Sequence, residues 1–349
     1  MLRDLEPEES KETKETKETK GVKFAMIRWG ILGTAGIVKS AFLPALHETR
    51  TGVAWHIGSR DLARAEQFAK DYNVARASGS YQAVLDDDQV DAIYIPLPNH
   101  LHYEWTLKAL ETGKAILCEK PLTGSLAQTQ EIIERAQQRH ALLWEAYAFQ
   151  FQPQWQRVEE LIRQGAIGAP QEIHGTFNTV LARADDVRWV KAFDGGAFND
   201  LGCYPVHITS LLLKNTPHQV IAQALMKGEV DGAMWGMLTY PDQVQLMMNV
   251  SFFRRYDTFT RFVGTEGEIR ITKMYHPGAR DAIEWRQGNR VIYEYPMKGQ
   301  LPFTDMLSHI HQVLRQECQP VQLVTDVGLP TAQTMELVRR SWHELPTFA

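Results

Sequence analysis

Short apolar runs alternate with amphipathic stretches through the first half of the chain, and this alternation restricts the fold more than any other feature of the sequence. The runs have the length of strands, and the stretches between them carry charged residues on one helical face. Strands that are apolar on both faces and separated by helices form a parallel sheet covered on both sides. The predicted strands are 27–32, 53–57, 92–95, 115–117 and 141–144, with helices between them at 62–71, 103–111 and 126–138.

After Pro170 polar and apolar residues alternate and the turns are short, which indicates a mostly antiparallel sheet. We expect it to be half buried against the block 196–213, with helices at 303–317 and 331–342 packing back on the first half. The predicted strands are 172–180, 220–227, 234–240, 244–253, 259–263 and 282–285. A chain of 349 residues is too long for one ordinary core. The fold class is therefore α/β, with one domain over 26–148 and a C-terminal α+β domain with a large open sheet over 149–349.

Residues 1–25 stand apart from this pattern. Residues 11–20 read KETKETKETK, a charged repeat with no apolar face to bury, so we expect a disordered leader. It lacks the apolar core of a signal peptide and holds too many acids for a transit peptide. We assign it no part in function.

The composition excludes several classes of partner. Lys and Arg number 37 against 42 Asp and Glu, a net charge of −5, which argues against a nucleic-acid surface. The three cysteines form no CxxC pair, so neither a disulfide framework nor a metal site is predicted, in keeping with a cytoplasmic location. No uncharged apolar run reaches about 18 residues, so no membrane partner is expected either.

Ligands of a doubly wound sheet bind beyond the carboxyl ends of its strands, and a glycine turn follows the first predicted strand. The turn reads GTAGIV at 33–38 and opens a helix, where backbone N–H groups can cradle a pyrophosphate. It is a degraded GxGxxG motif, and a purely structural turn is the alternative. Its position favours a Rossmann domain that binds a dinucleotide. The candidate cofactor-binding residues here are Gly33, Thr34, Ala35, Gly36 and Ile37.

The end of the second strand predicts which dinucleotide. A carboxylate there would bind the ribose hydroxyls of NAD, whereas this chain has Ser59 and Arg60, with Arg64 one helical turn on. A hydroxyl and guanidinium groups suit a 2′-phosphate, which a carboxylate would repel. We therefore predict NADP, with NAD as the alternative. The other interpretation is that both arginines are solvated helix charges and Asp61 is an N-cap.

The loop after the strand at 92–95 reads PLPNHLH, and its prolines stop the strand abruptly. The two histidines lack a third ligand at metal spacing, so a metal pair is disfavoured. The alternative is Asn99 as a helix cap with His102 lining the site. Pro96, Leu97, Asn99 and His102 are the cofactor-binding candidates of this loop.

The strand at 115–117 runs into Cys118, Glu119, Lys120 and Pro121. A charged pair directly after a buried strand, held by a proline, places Lys120 at the ligand crevice, with Glu119 beside it as a cofactor-binding candidate. A lone lysine at a strand end is usually surface, so the spacing alone does not decide.

Taken together, these motifs resemble the superfamily of glucose–fructose oxidoreductase, inositol dehydrogenase and rhizopine-catabolism proteins. The resemblance extends from residue 26 to the end of the chain. It rests on RWGILGTAGI, IYIPLPNHLH, KALETGKAILCEKPL, GGAFNDLGCYPVHI at 195–208 and VGTEGEI at 263–269. It implies an NAD(P)-dependent oxidoreductase that moves a hydride between nicotinamide C4 and a sugar, polyol or related substrate. Tyr204 is similar to the branch of NADP-linked dihydrodiol and xylose dehydrogenases.

The resemblance also implies roles for particular residues. Lys120 matches the lysine that contacts nicotinamide ribose and substrate, Asp200 the active-site acid, and Tyr204 the proton-transferring residue. On a helix, 200 and 204 share one face. We expect Tyr204 to donate the proton and Lys120 to stabilise the oxyanion, with the reverse roles open, and Asp200 to orient Lys120. Burial and oxidised nicotinamide should lower the pKa of Lys120, and the bond before Pro121 should be cis.

Three further residues are substrate candidates: Arg188 and Trp189, in the loop before the catalytic block, and His207. A buried tryptophan and a core histidine are the alternatives for the last two. The chain departs from the family pattern at Gln150, Gln152 and Asp194, positions that we place near the substrate side.

The alternating sheet also predicts a partner. We expect its outer face to carry Met237, Leu246 and Met248, and such a face to be covered in a homodimer.

An NADP-binding sensor or a regulatory subunit on the same fold is the alternative to an enzyme. Intact Lys120 and Tyr204 favour the enzyme, since a sensor has no need of a proton-transfer set.

Overall fold

The structure is a computed structural model and describes residues 26–346. The predicted leader over 1–25 lies outside these residues. In the first half, six strands form a parallel sheet in the order β3-β2-β1-β4-β5-β6, as predicted. The strands are β1 (Ile27–Leu32), β2 (Gly52–Gly58), β3 (Arg76–Ser78), β4 (Ala92–Ile95), β5 (Ala115–Cys118) and β6 (Leu143–Glu145).

The helices of this half cover both faces of the sheet. A π-helical turn at Val38–Phe42 runs into the first of them, and Asp61 caps the second by accepting a hydrogen bond from the backbone N–H of Arg64. The helices are α1 (Leu43–Thr49), α2 (Leu62–Tyr72), α3 (Tyr81–Leu85), α4 (His102–Leu110) and α5 (Leu126–Gln138). The sequence pattern missed β3 and α3, because each is too short to show a period.

The second sheet has ten strands and is mostly antiparallel, with parallel pairing of β10 to β7 and of β16 to β8. Its central strands are longer than those of the first sheet. The strands are β7 (Pro170–Val180), β8 (Gln219–Lys227), β9 (Val230–Thr239), β10 (Gln245–Ser251), β11 (Phe253–Asp257), β12 (Thr260–Gly264), β13 (Gly267–Ile271), β14 (Ile283–Gln287), β15 (Arg290–Glu294) and β16 (Trp342–Leu345).

Four helices accompany this sheet: α6 (Pro153–Arg163), α7 (Cys203–Leu213), α8 (Thr304–Leu314) and α9 (Val324–Ser341). The last two return to the first half, where Nε1 of Trp29 in β1 donates to Nε2 of His311 in α8 at 2.9 Å. Helix α9 packs along α5. Within 26–346, no helix is both long enough and apolar enough to cross a bilayer. The domain boundary at 148 stays a prediction.

The expected outer face of the second sheet was wrong in two of its three residues. Leu246 and Met248 are buried in the core, because they alternate with Met247, which pairs with Met237 across the β9–β10 ladder on the opposite face. Met237 does lie on the outer face. Ile221, Trp235, Met237 and Met247 are among the apolar residues that line this outer groove of about 460 Å³.

Candidate active site

The glycine turn after β1 has the shape that a phosphate needs. Gly33 has φ of +104°, and its N–H donates to the carbonyl of Gly58 at 2.8 Å. A Cβ added at Gly36 would meet no atom within 4 Å, so the backbone there borders open space. Thr34, Ala35 and Ile37 are half-buried around it. The turn therefore fits a pyrophosphate at the helix N-terminus.

The end of β2 fits the adenosine side of such a cofactor. Ser59 is buried, and its Oγ accepts the N–H of Asp61 at 3.2 Å. Asp61 is the N-cap of α2, so that part of the alternative interpretation is correct. Arg60 and Arg64 are exposed beside it. Their guanidinium groups are open to a 2′-phosphate, and their binding role remains a prediction.

The loop after β4 corrects the expectations for two side chains. His102 is fully buried, with Nδ1 2.8 Å from the carbonyl of Pro121 and Nε2 2.7 Å from that of Leu97. Its ring therefore links the loop after β4 to the segment after β5 and does not line the site. Asn99 is not a helix cap, because its Nδ2 donates to the carbonyl of Asp194 at 2.9 Å. Pro96 and Leu97 are buried at the end of the strand.

Position 194, where this chain departs from the family pattern, has an unusual backbone conformation. Asp194 has φ of +55°, a left-handed conformation that favours glycine, and glycine is the residue the resemblance leads us to expect there. Its carbonyl accepts hydrogen bonds from the side-chain amides of Asn99 and Asn199. The turn thus ties the loop after β4 to the second half of the chain.

The segment after β5 is held rigidly from several sides. The Lys120–Pro121 peptide bond is cis, as the resemblance implied. The hydroxyl of Tyr94 donates to Oε1 of Glu119 at 2.7 Å, and the backbone N–H of Leu122 donates to the buried carboxyl of Glu145 at 2.8 Å. Glu119 thus faces Tyr94 within the protein, and Lys120 is left to face the second half.

Lys120 and Asp200 form a largely buried ion pair. Lys120 Nζ lies 2.7 Å from Oδ1 of Asp200 and 2.8 Å from its backbone carbonyl oxygen. Oδ2 of Asp200 lies 3.2 Å from Nη1 of Arg188, and the rest of that guanidinium group binds Asp186. The two residues are 80 positions apart in the chain. Asp200 lies in a π-helical turn, Phe198–Gly202, that leads into α7.

These charges set the protonation states. Burial alone would raise the pKa of Asp200, but Lys120 and Arg188 more than offset it, so the pKa lies below its usual range. Burial opposes the charge of Lys120, yet the Asp200 carboxylate raises its pKa above the ordinary value. The expected lowering of that lysine pKa is therefore wrong for the protein itself. Lys120 is an ammonium group at neutral pH.

Tyr204 is the third member of this group. Lys120 Nζ lies 5.0 Å from the centroid of its ring, and the tyrosine is half-buried at the start of α7. Burial raises the pKa of Tyr204 although the Lys120 cation works in the opposite direction. The hydroxyl is therefore protonated at neutral pH. Aromatic rings surround it, namely Tyr147, Phe149, Phe177 and Tyr275.

The other two substrate candidates, His207 and Trp189, have partners within the protein. His207 is buried, with Nδ1 2.9 Å from Oγ1 of Thr331 and Nε2 3.1 Å from Oε1 of Gln150. It is a core histidine, and burial lowers its pKa to about 3. Trp189 packs on Phe252 and Phe253, and its Nε1 donates to the carbonyl of Arg183 at 3.1 Å, so its role toward substrate stays a prediction.

Gln150 and Gln152 are likewise buried rather than on the substrate side, since Gln150 meets His207 and Nε2 of Gln152 donates to the carbonyl of Pro302 at 3.3 Å. Of the substrate candidates, Arg188, Asp200 and Tyr204 are brought together. Sequence reasoning missed the aromatic surroundings and a Tyr256–His276 pair nearby, because neither carries a recognisable motif. Across 26–346, no group of three or more His, Cys, Asp or Glu side chains is arranged to hold a metal ion.

The glycine turn after β1 fits a dinucleotide, and the lysine after β5 lies beside a protonated tyrosine at the start of α7. Together these features define a nicotinamide-dependent oxidoreductase. The chain belongs to the Gfo/Idh/MocA oxidoreductases: residues 27–147 match the "Oxidoreductase family, NAD-binding Rossmann fold", and residues 155–270 match the "GFO/IDH/MocA C-terminal domain". It is an NADP-binding enzyme of the dehydrogenase and reductase type.

Its relatives act on several substrates. It is 35% identical to D-xylose 1-dehydrogenase (NADP(+)) 2 of Haloferax volcanii, over 76% of this chain and 82% of that one. It is 32% identical to trans-1,2-dihydrobenzene-1,2-diol dehydrogenase of Xenopus tropicalis, over 72% and 77%. Among solved structures, a 3-ketoreductase from Actinomadura kijaniata in complex with NADP and TDP-benzene superposes with a TM-score of 0.83 at 25% identity, covering 93% of this chain and 100% of that one.

Proposed function

We propose that this protein is an NADP-dependent dehydrogenase or reductase of a neutral sugar or polyol, with Tyr204 transferring the proton and Lys120 stabilising the charge on the substrate oxygen. The observation that carries the proposal is the Lys120–Asp200 ion pair, with Nζ 2.7 Å from Oδ1, next to the Tyr204 ring. NADP supplies or accepts the hydride at C4 of its nicotinamide ring when it is bound. The turn 33–37, Ser59, Arg60 and Arg64 would hold it.

The protonation states support a division of labour between the two residues. In carbonyl reduction, the protonated Tyr204 hydroxyl donates to the carbonyl oxygen as negative charge develops there. The Lys120 ammonium group stabilises that charge in a site where little water competes. Asp200 keeps the lysine charged and pointed into the cleft, through both its carboxylate and its carbonyl oxygen.

The charges around the cleft support a neutral substrate. Lys120 is paired with Asp200, and Arg188 is shared between Asp186 and Asp200. Within the described residues, neither of these two cations is left without a carboxylate partner. A phosphate or carboxylate on the substrate would have to displace one of those carboxylates, at the cost of leaving it buried and unpaired. A neutral aldose or polyol meets no such conflict.

Turnover tests the proposal. Purified protein is offered NADP⁺ or NAD⁺ with D-xylose, D-glucose, myo-inositol and trans-dihydrodiols, and nicotinamide absorbance is followed. We expect reduction of NADP⁺ with a sugar or polyol, and a loss of about 100-fold or more in kcat for Tyr204→Phe. Tyr293→Phe is the matched control, because that tyrosine is exposed on β15.

Each negative result has a distinct meaning. NADPH binding by fluorescence without any turnover would favour the sensor or regulatory subunit. Full activity in Tyr204→Phe or Lys120→Met would contradict the assigned roles. Absence of cofactor binding would contradict the proposal at its first step.

We also propose a homodimer that covers the outer groove of the second sheet. Ile221 is 54% exposed there, beside Trp235, Met237 and Met247, and exposed apolar patches of this kind mark interfaces. Ile221→Lys should convert a dimer to a monomer in sedimentation experiments, whereas a monomeric wild type would contradict the proposal. The cytoplasmic location stays a prediction.

A further inference from the structure

A histidine and a tyrosine meet beside the aromatic rings that surround Tyr204, and the reaction as derived above uses neither. Tyr256 lies on β11, and His276 follows β13 in the chain. The Tyr256 hydroxyl and Nδ1 of His276 are 2.9 Å apart. Both side chains are exposed to solvent, so the pair is not part of the core.

The pair faces the reacting groups across a short aromatic wall. The ring of Phe177 lies 6.3 Å from that of His276 and 5.1 Å from that of Tyr204. Tyr275, the neighbour of His276, lies 4.5 Å from Tyr204 and stacks on Phe177. His276 and Tyr204 therefore both border the same aromatic surface.

Electrostatics supports the same placement. The protein packed around His276 lowers its pKa, and the Lys120 cation lowers it further, in agreement with the ring contacts that lead from His276 through Phe177 to Tyr204. The ring is neutral at pH 7, so one of its nitrogens is a donor and the other an acceptor. The Tyr256 hydroxyl occupies Nδ1, and Tyr256 is the one hydrogen-bond partner of His276 within residues 26–346. Nε2 is thus available to a ligand.

We propose that Nε2 of His276 binds a hydroxyl group of the substrate away from the reacting carbon, with Tyr256 as the residue that orients the ring. This inference rests on the proposed function and deepens it. A neutral imidazole matches a neutral hydroxyl, and the aromatic wall between it and Tyr204 suits the C–H face of a sugar ring. The pair therefore selects a polyhydroxylated sugar or polyol over a dihydrodiol, whose hydroxyls lie only at the reacting end.

Deoxy sugars test this assignment directly. The probes are D-glucose and its monodeoxy derivatives, D-xylose and trans-1,2-dihydrobenzene-1,2-diol, measured as kcat and KM for wild type and His276→Phe. In the wild type, one deoxy derivative should lose about 10-fold in kcat/KM, the value of one hydrogen bond. In His276→Phe the parent sugar should lose the same factor through KM, and that deoxy derivative should lose nothing more. The diol should change less than twofold.

Further variants separate contact from structure. His276→Asn keeps a donor and acceptor and should recover part of the sugar KM. Tyr256→Phe leaves the ring without its orienting partner and should raise the sugar KM by a smaller factor, with kcat unchanged. His218→Phe is the control, since His218 is exposed beyond the far end of α7. Equal deoxy-to-parent ratios in wild type and His276→Phe would overturn the proposal.

A binding measurement keeps this test independent of turnover. The same sugars are titrated calorimetrically into the protein saturated with NADPH. Sugar binding that is lost in His276→Phe supports the assignment even if no sugar turns over, in which case only the proposed function fails. Absence of sugar binding to the wild type, or equal binding by the variant, contradicts the assignment of His276.

Discussion

The Lys120–Asp200 pair has an asymmetry that stability measurements can reveal. Asp200 lies between two cations, whereas the carboxylate of Asp200 is the one anionic partner of Lys120 among the described residues. Their side chains are 12% and 17% exposed. Unit charges with Nζ and Oδ1 2.7 Å apart attract by about 6 kcal/mol at an effective dielectric constant of about 20. The desolvation of both ions cancels much of this.

Removing one partner therefore costs more than the pair contributes. Asp200→Asn leaves the Lys120 ammonium group with neutral oxygens only, and we expect a loss of about 3–5 kcal/mol in the free energy of unfolding. Lys120→Met leaves Asp200 with Arg188 at 3.2 Å, so the loss should be about 2 kcal/mol, the value of a charge-assisted hydrogen bond. Adding Lys120→Met to Asp200→Asn should restore stability, because the unpaired cation is gone.

Urea unfolding followed by tryptophan fluorescence measures all three variants. Asp185→Asn is the control, since its ion pair with Arg183 is exposed on both sides and its loss should leave the free energy of unfolding nearly unchanged. If Lys120→Met costs as much as Asp200→Asn, or if the two losses add in the double variant, then the charge argument is wrong.

Three further predictions concern the cofactor and the core. Gly36→Ala adds a methyl group to open space within a helix, so it should leave the free energy of unfolding unchanged or raise it by up to about 1 kcal/mol. NADPH fluorescence titration should show binding weakened about 10-fold or more, and an unchanged affinity would place the phosphate elsewhere. Arg60→Ala should raise KM for NADP⁺ about 10- to 100-fold and leave KM for NAD⁺ unchanged, and an equal effect on both would remove Arg60 from the 2′-phosphate site. His207 has a folded-state pKa of about 3, below the unfolded value of about 6.5. The unfolded state therefore takes up the proton first, and the free energy of unfolding falls by about 4–5 kcal/mol as pH drops from about 6.5 towards about 3. Urea unfolding of His207→Gln at each pH should lack this slope, and an unchanged slope would contradict the assignment of a core histidine.

The cofactor half of the site was predictable because its signals are local. Most strands of the first sheet are short runs dominated by apolar residues, each ends at a turn, and the turn residues follow directly in the chain. Lys120 could be placed at the crevice for the same reason, since β5 is buried and a proline follows it. Among these strands only β3 was not predicted, because its three residues, Arg76–Ser78, carry no apolar pattern.

Side-chain direction was harder to predict where both faces of an element are apolar. Leu246, Met247 and Met248 are consecutive apolar residues of β10, so alternation does not tell which of them faces the core. His207 presents the same difficulty on α7, whose residues 205–211 are all buried. Its partner Thr331 is 124 residues away, and no local pattern predicts that contact.

The substrate half of the site depends on such distant contacts throughout. Lys120 and Asp200 are 80 residues apart and come from the two halves of the chain. Tyr256 lies on β11, and His276 lies in the connection between β13 and β14. Relatives of nearly equal identity to this chain act on xylose, on a deoxysugar nucleotide and on a dihydrodiol, so overall similarity does not separate these substrates. What separates them is the set of side chains around Tyr204, where this chain has paired cations, an aromatic wall and an imidazole. These features favour a neutral polyhydroxylated substrate, because the paired cations disfavour the charge of a nucleotide and the imidazole offers a hydrogen bond that the bare ring of a diol does not use.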